Sequence, residues 1–336
     1  MKKELIIIGA IIVVLVGYLL LKQVNKMHYD IPKLEPVKIE DIDKIELKKG
    51  STVITLVKKN NLWTIQPQGF PTETEKVKKI TETISKIHLT DLASKSKNDA
   101  LYELDNEKGV QVKAFQKDKV LRDFVVGKAA STYGHTFVKI KGDDNIYYAL
   151  ESFRDQFDIK TDDLRDKKIM KVDSNEISEV EIDTAGTKFL FTKKAIPGAP
   201  EVKNPGPNAP DNTEWVTPDG KKGNKPAIDS IIGQLSDFQC EGYIEGKTKQ
   251  DFVTMNPVFS LRAKGNKDYI LVFYPKPELK PDEKPTGEEK YPTLSPQSAY
   301  PFYVMSWKAE QIIKKPEDLL EKAKEEKKDA LPKPKK

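Results

Sequence analysis

One order of patterns occurs twice in this chain, and it constrains the fold more tightly than any single motif. In IDKIELKKGSTVITLVKKNNLWTI, Ile45 and Leu47, then Val53, Thr55 and Val57, alternate with polar residues on either side of a Lys49-Gly50 turn. Alternation around a short polar turn predicts a β-hairpin, and a third strand ends in Trp63-Thr64-Ile65. Pro67 and Pro71 close that strand. Thr72 and Thr74 then precede Val77, Ile80, Ile84 and Ile87, whose spacing of three and four predicts an amphipathic helix beginning near Glu75. Short β-branched or aromatic runs follow in LYELDNEKGVQVKAFQ, VLRDFVVGK, HTFVKIKG and NIYYAL, which predict a meander of strands.

The second occurrence opens with ISEVEIDTAGTKFLFTKK. Val180 and Ile182 alternate, Ala185-Gly186 turns, and Phe189 and Phe191 alternate. Glu214-Trp215-Val216 ends a strand before Pro218, and a helix near Pro226 carries Ala227, Ile231, Ile232 and Leu235. Strand runs return in DFQCEGYIEG, FSLRAKGNKDYILVFYPK and AYPFYVMSW. The offset between copies grows from about 135 to about 150 residues between the opening strands and the tryptophans, which places an insertion at Ala195–Thr213. That insertion and Pro275–Pro296 are rich in proline and read as surface loops.

The run from Leu5 to Leu21, LIIIGAIIVVLVGYLLL, contains no charge. It reaches the lower limit of roughly 17 residues for a membrane-spanning helix. Lys3 and Lys22 flank it, and KQVNKMHYD downstream lacks the small-residue site of a cleaved signal peptide. The expected architecture is therefore α+β, with an N-terminal transmembrane helix followed by two similar antiparallel-sheet-plus-helix repeats. Residues 1–27 read as the anchor, 28–40 as a proline-bearing spacer and 41–172 as the first repeat. Residues 173–312 read as the second repeat with its proline-rich loops, and 313–336 as a charged C-terminal tail.

The formal net charge of +5 is small beside 57 basic and 52 acidic residues that are mixed along the chain, which argues against nucleic-acid binding. The single cysteine, Cys240, allows no intramolecular disulfide and sits in an alternating run as a small apolar residue. His28, His88 and His135 form no HxH, HxxxH or CxxC pattern, so no metal or cofactor is expected. No G-x-S-x-G and no phosphate-binding glycine loop occurs, and no catalytic residue is assigned. Two sets of residues stand out. Tyr291, Tyr300 and Phe302 lie in or beside the later proline-rich loop and suit a partner surface. Arg154, Asp155, Arg165 and Asp166 lie near the link between copies and suit ion pairs that tie them together.

The stretch LYELDNEKGVQVKAF, then FVVGK, NIYYAL, FRDQF and DDLRDKKIMKV, resembles the DUF4340 family of bacterial, usually membrane-anchored proteins. The matching residues are Trp63, Tyr102, Leu104, Asp105, Gly127, Leu164, Arg165, Asp166 and Lys167, within a likeness covering roughly 42–307. The second copy departs from it, with Asp251 to Met255 standing where the tyrosine–leucine–aspartate approach would be. The resemblance implies an extracytoplasmic body associated with ABC-type export or gliding-type transporter systems, and it defines no catalytic residue. The expectation is a non-enzymatic binding or scaffolding component of a membrane complex. It would be a single-pass protein of the cytoplasmic membrane with its body facing the periplasm or cell exterior. The alternatives are a hydrolase acting on cell-envelope glycan and a tethered solute-binding protein.

Overall fold

The computed structural model describes residues 2–24, 31–131, 134–184, 186–198, 212–277 and 289–321. Helix α1 spans Lys2–Val24. Its side chains are described over residues 7–19, and among the described residues no helix is long and apolar enough to cross a membrane. The chain falls into two compact units, Met1–Arg165, which includes α1, and Asp166–Lys336.

In the first unit the expected hairpin is β1 (Lys44–Lys49) and β2 (Thr52–Lys59), turned at Gly50, whose φ of +56° favours a residue without a Cβ. Strands β3 (Leu62–Gln66) and β4 (Phe70–Pro71) follow, then α2 (Thr74–Lys86). The Glu73 side chain caps α2 by accepting a hydrogen bond from the Lys76 N–H at 3.2 Å. Val77, Ile80, Thr81 and Ile84 face inward at helical spacing. The chain continues through β5 (Leu89–Ser94), β6 (Val110–Gln116), β7 (Lys119–Ala129), β8 (His135–Ile140) and β9 (Ile146–Leu150). Two single-turn helices, α3 (Arg154–Phe157) and α4 (Thr161–Leu164), close the unit. The strands form one antiparallel sheet in the order β4-β3-β2-β1-β6-β7-β8-β9-β5. The inward residues of β1, β2, β6 and β7 pack with α2, Phe153 and Phe157 in one apolar core.

The second unit begins with β10 (Lys168–Met170), then β11 (Glu179–Thr184), β12 (Thr187–Ala195) and β13 (Thr213–Val216). Helix α5 (Lys225–Gln234) is capped by Asn224, with Pro226 in its first turn. Then come β14 (Phe238–Gln239), β15 (Gly242–Tyr243), β16 (Phe259–Lys264), β17 (Asp268–Phe273), β18 (Lys290–Leu294) and β19 (Phe302–Met305). The unit ends in α6 (Ser306–Ile312) and α7 (Pro316–Leu319). Eight of these strands form a sheet in the order β13-β12-β11-β16-β17-β18-β19-β15, while β10 pairs with β14.

Three details differ from the sequence reading. Residues 31–40 of the proline-bearing spacer are packed on the first unit: Ile31 and Leu34 rest on the core and Val37 is 8% exposed. The later proline-rich stretch supplies a strand, with Pro292 buried between Tyr291 and Thr293. The second unit extends past residue 312, because Leu319 is fully buried and the Asn224 N–H donates to its carbonyl at 2.8 Å. The loop core at 199–211, residues 278–288 and the tail from 322 lie outside the described residues.

Two tryptophans of the second unit occupy unlike environments. Trp215 is fully buried and its Nε1 donates to Asp229 Oδ1 at 2.8 Å, whereas Trp307 is 62% exposed. Trp215→Ala is expected to lower the stability of the second unit by about 3–5 kcal/mol. Trp307→Ala should stay within about 0.5 kcal/mol of wild type. Denaturant unfolding followed by circular dichroism distinguishes the two.

Candidate functional site

On the face of the first sheet away from α2, a cleft of about 910 Å³ opens over β6, β7 and β8. The segment 99–109 forms one wall, and the turn 141–144 forms another. The strand register puts Gln111, Asp123 and Lys139 on this face while Val112, Phe124 and Val138 point to the core, as period-2 alternation requires.

The charged groups of the cleft are mostly matched in pairs. Lys139 Nζ lies 3.0 Å from Asp99 Oδ2, and Lys97 Nζ lies 2.8 Å from Asp144 Oδ2. Asp123 accepts from Gln111 Nε2 at 3.1 Å and faces Lys113 Nζ at 3.8 Å. The Tyr147 hydroxyl donates to Asp143 Oδ2 at 2.6 Å. Burial, then this bond to Asp143, raises the Tyr147 phenol above its ordinary value. Asp105 accepts from the N–H groups of Glu107 at 2.9 Å and Lys108 at 3.0 Å. The Lys108 N–H is the main reason its carboxyl is held below the ordinary carboxylate range. The hydrogen bond from Lys97 lowers Asp144 in the same way. A general acid needs the opposite shift.

The residues that carried the family likeness build this wall. A Cβ on Gly127 would lie 2.4 Å from the Tyr102 carbonyl oxygen and 2.9 Å from Leu104 Cγ. One on Gly109 would lie 2.7 Å from the Asp105 carbonyl oxygen. The segment 99–109 therefore rests directly on the sheet backbone, and Asp105 folds its turn. Leu164 is fully buried and its carbonyl accepts from the Glu73 N–H at 2.8 Å. The Arg165 guanidinium stands 4.6 Å over the Phe70 ring and 3.4 Å from Asp162 Oδ1. The Lys167 carbonyl accepts from the Cys240 N–H at 2.8 Å.

The four link residues are separated by these contacts. Arg154 Nη2 reaches Asp158 at 3.2 Å, Glu103 at 3.4 Å and the Lys108 carbonyl at 2.8 Å, all within the first unit. Asp155 is exposed, and Asp166 accepts from the Lys168 N–H at 2.9 Å. Of the three aromatic residues suited to a partner surface, Phe302 is fully buried, because it lies on the inward register of β19. Tyr291 is half-buried on β18, and half-buried Tyr300 sits 5.7 Å from the Tyr243 ring. Cys240 is buried, His88 is exposed, and His135 stands 5.9 Å from the Tyr148 ring. Among the described residues no group of three or more His, Cys, Asp or Glu side chains could hold a metal ion. Asp99, Asp123 and Lys139 gave no warning in sequence, since isolated charges on turns and alternating strands look like any solvated face.

These features define an α+β protein with open antiparallel sheets, one of which carries a charge-matched polar cleft. Residues 63–256, more than half of the chain, match the family described as a domain of unknown function, DUF4340, and the chain belongs to that family. No curated protein and no solved structure matches it.

Two outcomes test the wall. Gly127→Ala should cost about 1–3 kcal/mol, because backbone must move to admit the methyl group. Calorimetry of the purified chain reads this as a lower Tm. Asp105, depressed when folded, contributes stability that is present above its unfolded value and lost as the pH falls through the folded one. Asp105→Asn keeps the turn but not the titration, so it should lose less stability than wild type as the pH falls below about 4.

Proposed function

We propose that this chain is a membrane-anchored, extracytoplasmic and non-enzymatic binding or scaffolding component of a membrane complex, beside an ABC-type transporter. The observation that carries the reading is the apolar surface of α1. Every large apolar side chain described on it is exposed, from Ile7 at 61% through Val13 and Val14 at 71% to Leu19 at 60%. A helix that is apolar on all sides is stable when buried in a protein core or a bilayer, and not in water. Lys3 and Lys22 at its ends suit the lipid headgroup region. The body then lies on the far side of the cytoplasmic membrane.

The body, in this reading, consists of two copies of one fold. Val37 and Val172, Ile42 and Ile177, Ile45 and Val180, and Leu47 and Ile182 share one constant offset, and all eight are buried. The strand order β3-β2-β1-β6-β7-β8-β9-β5 corresponds, element by element, to β13-β12-β11-β16-β17-β18-β19-β15. Each copy closes with a late carbonyl on the first amide before its main helix, Leu164 on Glu73 and Leu319 on Asn224, both at 2.8 Å. A non-enzymatic role is supported by the use of the family residues: Tyr102, Asp105, Gly127 and Leu164 serve backbone packing and turns.

The test uses the intact chain in its native membranes, by alkaline carbonate extraction and then crosslinking with affinity purification. Retention in the membrane pellet and recovery of transporter subunits are expected. A chain washed off by carbonate, or a lone monomer that hydrolyses envelope glycan, would overturn the proposal.

A further inference from the structure

Residues 31–38, IPKLEPVK, contact the core through every third residue: Ile31, Leu34 and Val37. That is the repeat of a polyproline II helix, with about three residues per turn and no internal hydrogen bonds. Pro32 and Pro36 favour it, and Lys38, at φ −81° and ψ 139°, continues it. Residues 31–37 form no backbone–backbone hydrogen bond among the described residues. Side chains hold the segment instead. Arg122 Nη2 donates to the Glu35 carbonyl at 2.7 Å, and the Ser85 hydroxyl donates to the Val37 carbonyl at 2.6 Å. Arg122 is 7% exposed, and its Nε is buried without a hydrogen-bond partner.

The counterpart in the second unit, at the offset that relates Val37 to Val172, is secured differently. There Lys168–Met170 is a strand laddered to Phe238–Gln239, and the Lys167 carbonyl accepts from the Cys240 N–H at 2.8 Å. The same position in two copies is thus a ladder in one and a side-chain clasp in the other. The clasped copy is the one next to α1.

We propose that residues 31–38 form a releasable latch that sets how far the first unit reaches from the membrane helix. This rests on the membrane-anchored reading. At about 3.5 Å per residue, the seven steps from Val24 to Ile31 allow roughly 25 Å at most. Release back to Ile39 adds eight steps, or roughly 28 Å more. The latch therefore switches the first unit between a membrane-hugging and an extended position, over a range that suits engagement with a neighbouring membrane protein.

Limited trypsin digestion of the full chain in detergent micelles tests the latch without requiring a bilayer, because cleavage needs the segment to leave the first unit. Cleavage after Lys33 should be far faster than cleavage after Lys168 in the laddered counterpart. Ser85→Ala, which removes one clasp donor, should speed cleavage after Lys33 about fivefold and leave cleavage after Lys168 unchanged. Leu34→Ala, which loosens one apolar contact, should act in the same direction. Cleavage after Lys33 as slow as after Lys168 and unmoved by both variants would overturn the proposal. Reach is read in vesicles by energy transfer from a dye on Lys59→Cys, in a Cys240→Ser chain, to a lipid acceptor. Transfer should fall in Ser85→Ala, and unchanged transfer despite faster cleavage would overturn the reach role. Wash-off by carbonate would sink the anchor reading and the reach role while leaving the cleavage result standing.

Discussion

In the first unit, Leu47 on β1 stands opposite Val112 on β6, and Ile45 opposite Ala114. That one antiparallel contact joins the early hairpin to the late meander, although helix α2 and strand β5 lie between them in sequence. The second unit makes the same join between Ile182 and Leu261. Without it the hairpin would have an open edge and α2 would have only half a sheet to cover. Two-stranded hairpins are marginal in water, and three or more strands with a buried face are needed for stability. Closing so long a loop costs entropy before any contact repays it, so this pairing is the step on which each unit depends. The inward positions at the join are Ile45, Leu47, Val112 and Ala114, all at most 2% exposed.

The local elements were legible because each has its own period. Alternation at Ile45, Leu47, Val180 and Ile182 marked the strands, and three–four spacing from Val77 to Ile84 marked the helix. The likeness in element order was legible because these periods recur in the same sequence. The pairing of β1 with β6 was not, since nothing in either strand specifies a partner about 65 residues away. Phe302 shows a related limit. Its neighbours Pro301 and Tyr300 suggested a loop, but one residue of register decides whether an aromatic ring faces the core or the solvent.

The segment 31–38 was misread for a physical reason. Two prolines among charged residues look like a linker, and a period of three falls between the periods of a strand and a helix. Ile31, Leu34 and Val37 were visible as apolar residues, but their shared face is apparent only once the backbone is known to turn every third residue. The cleft was hidden differently. Asp123 and Lys139 come to one face only through the pairing of β7 with β8, and Asp99 meets them only because the segment 99–109 rests on that sheet.

The residues shared with the family show why likeness alone did not reveal a site. Gly127 is required because the Tyr102 carbonyl would sit 2.4 Å from any Cβ there, and Leu164 because its carbonyl closes the unit over the start of α2. In the second unit Phe252 takes the place of Tyr102, on a single-turn 3₁₀ helix over residues 249–252. Its neighbour Val253 is 70% exposed, and the polar turn built by Asp105 has no equivalent in Thr254-Met255-Asn256. The framework of the two units is therefore alike where backbone meets backbone and different where side chains meet solvent. Two units that share a packing scheme and differ at their surfaces leave their functional differences on those surfaces and in the way each one's leading segment is held. The two tethers differ in kind: a ladder at Lys168–Met170, and a clasp of Arg122 and Ser85 on the segment nearest the apolar helix.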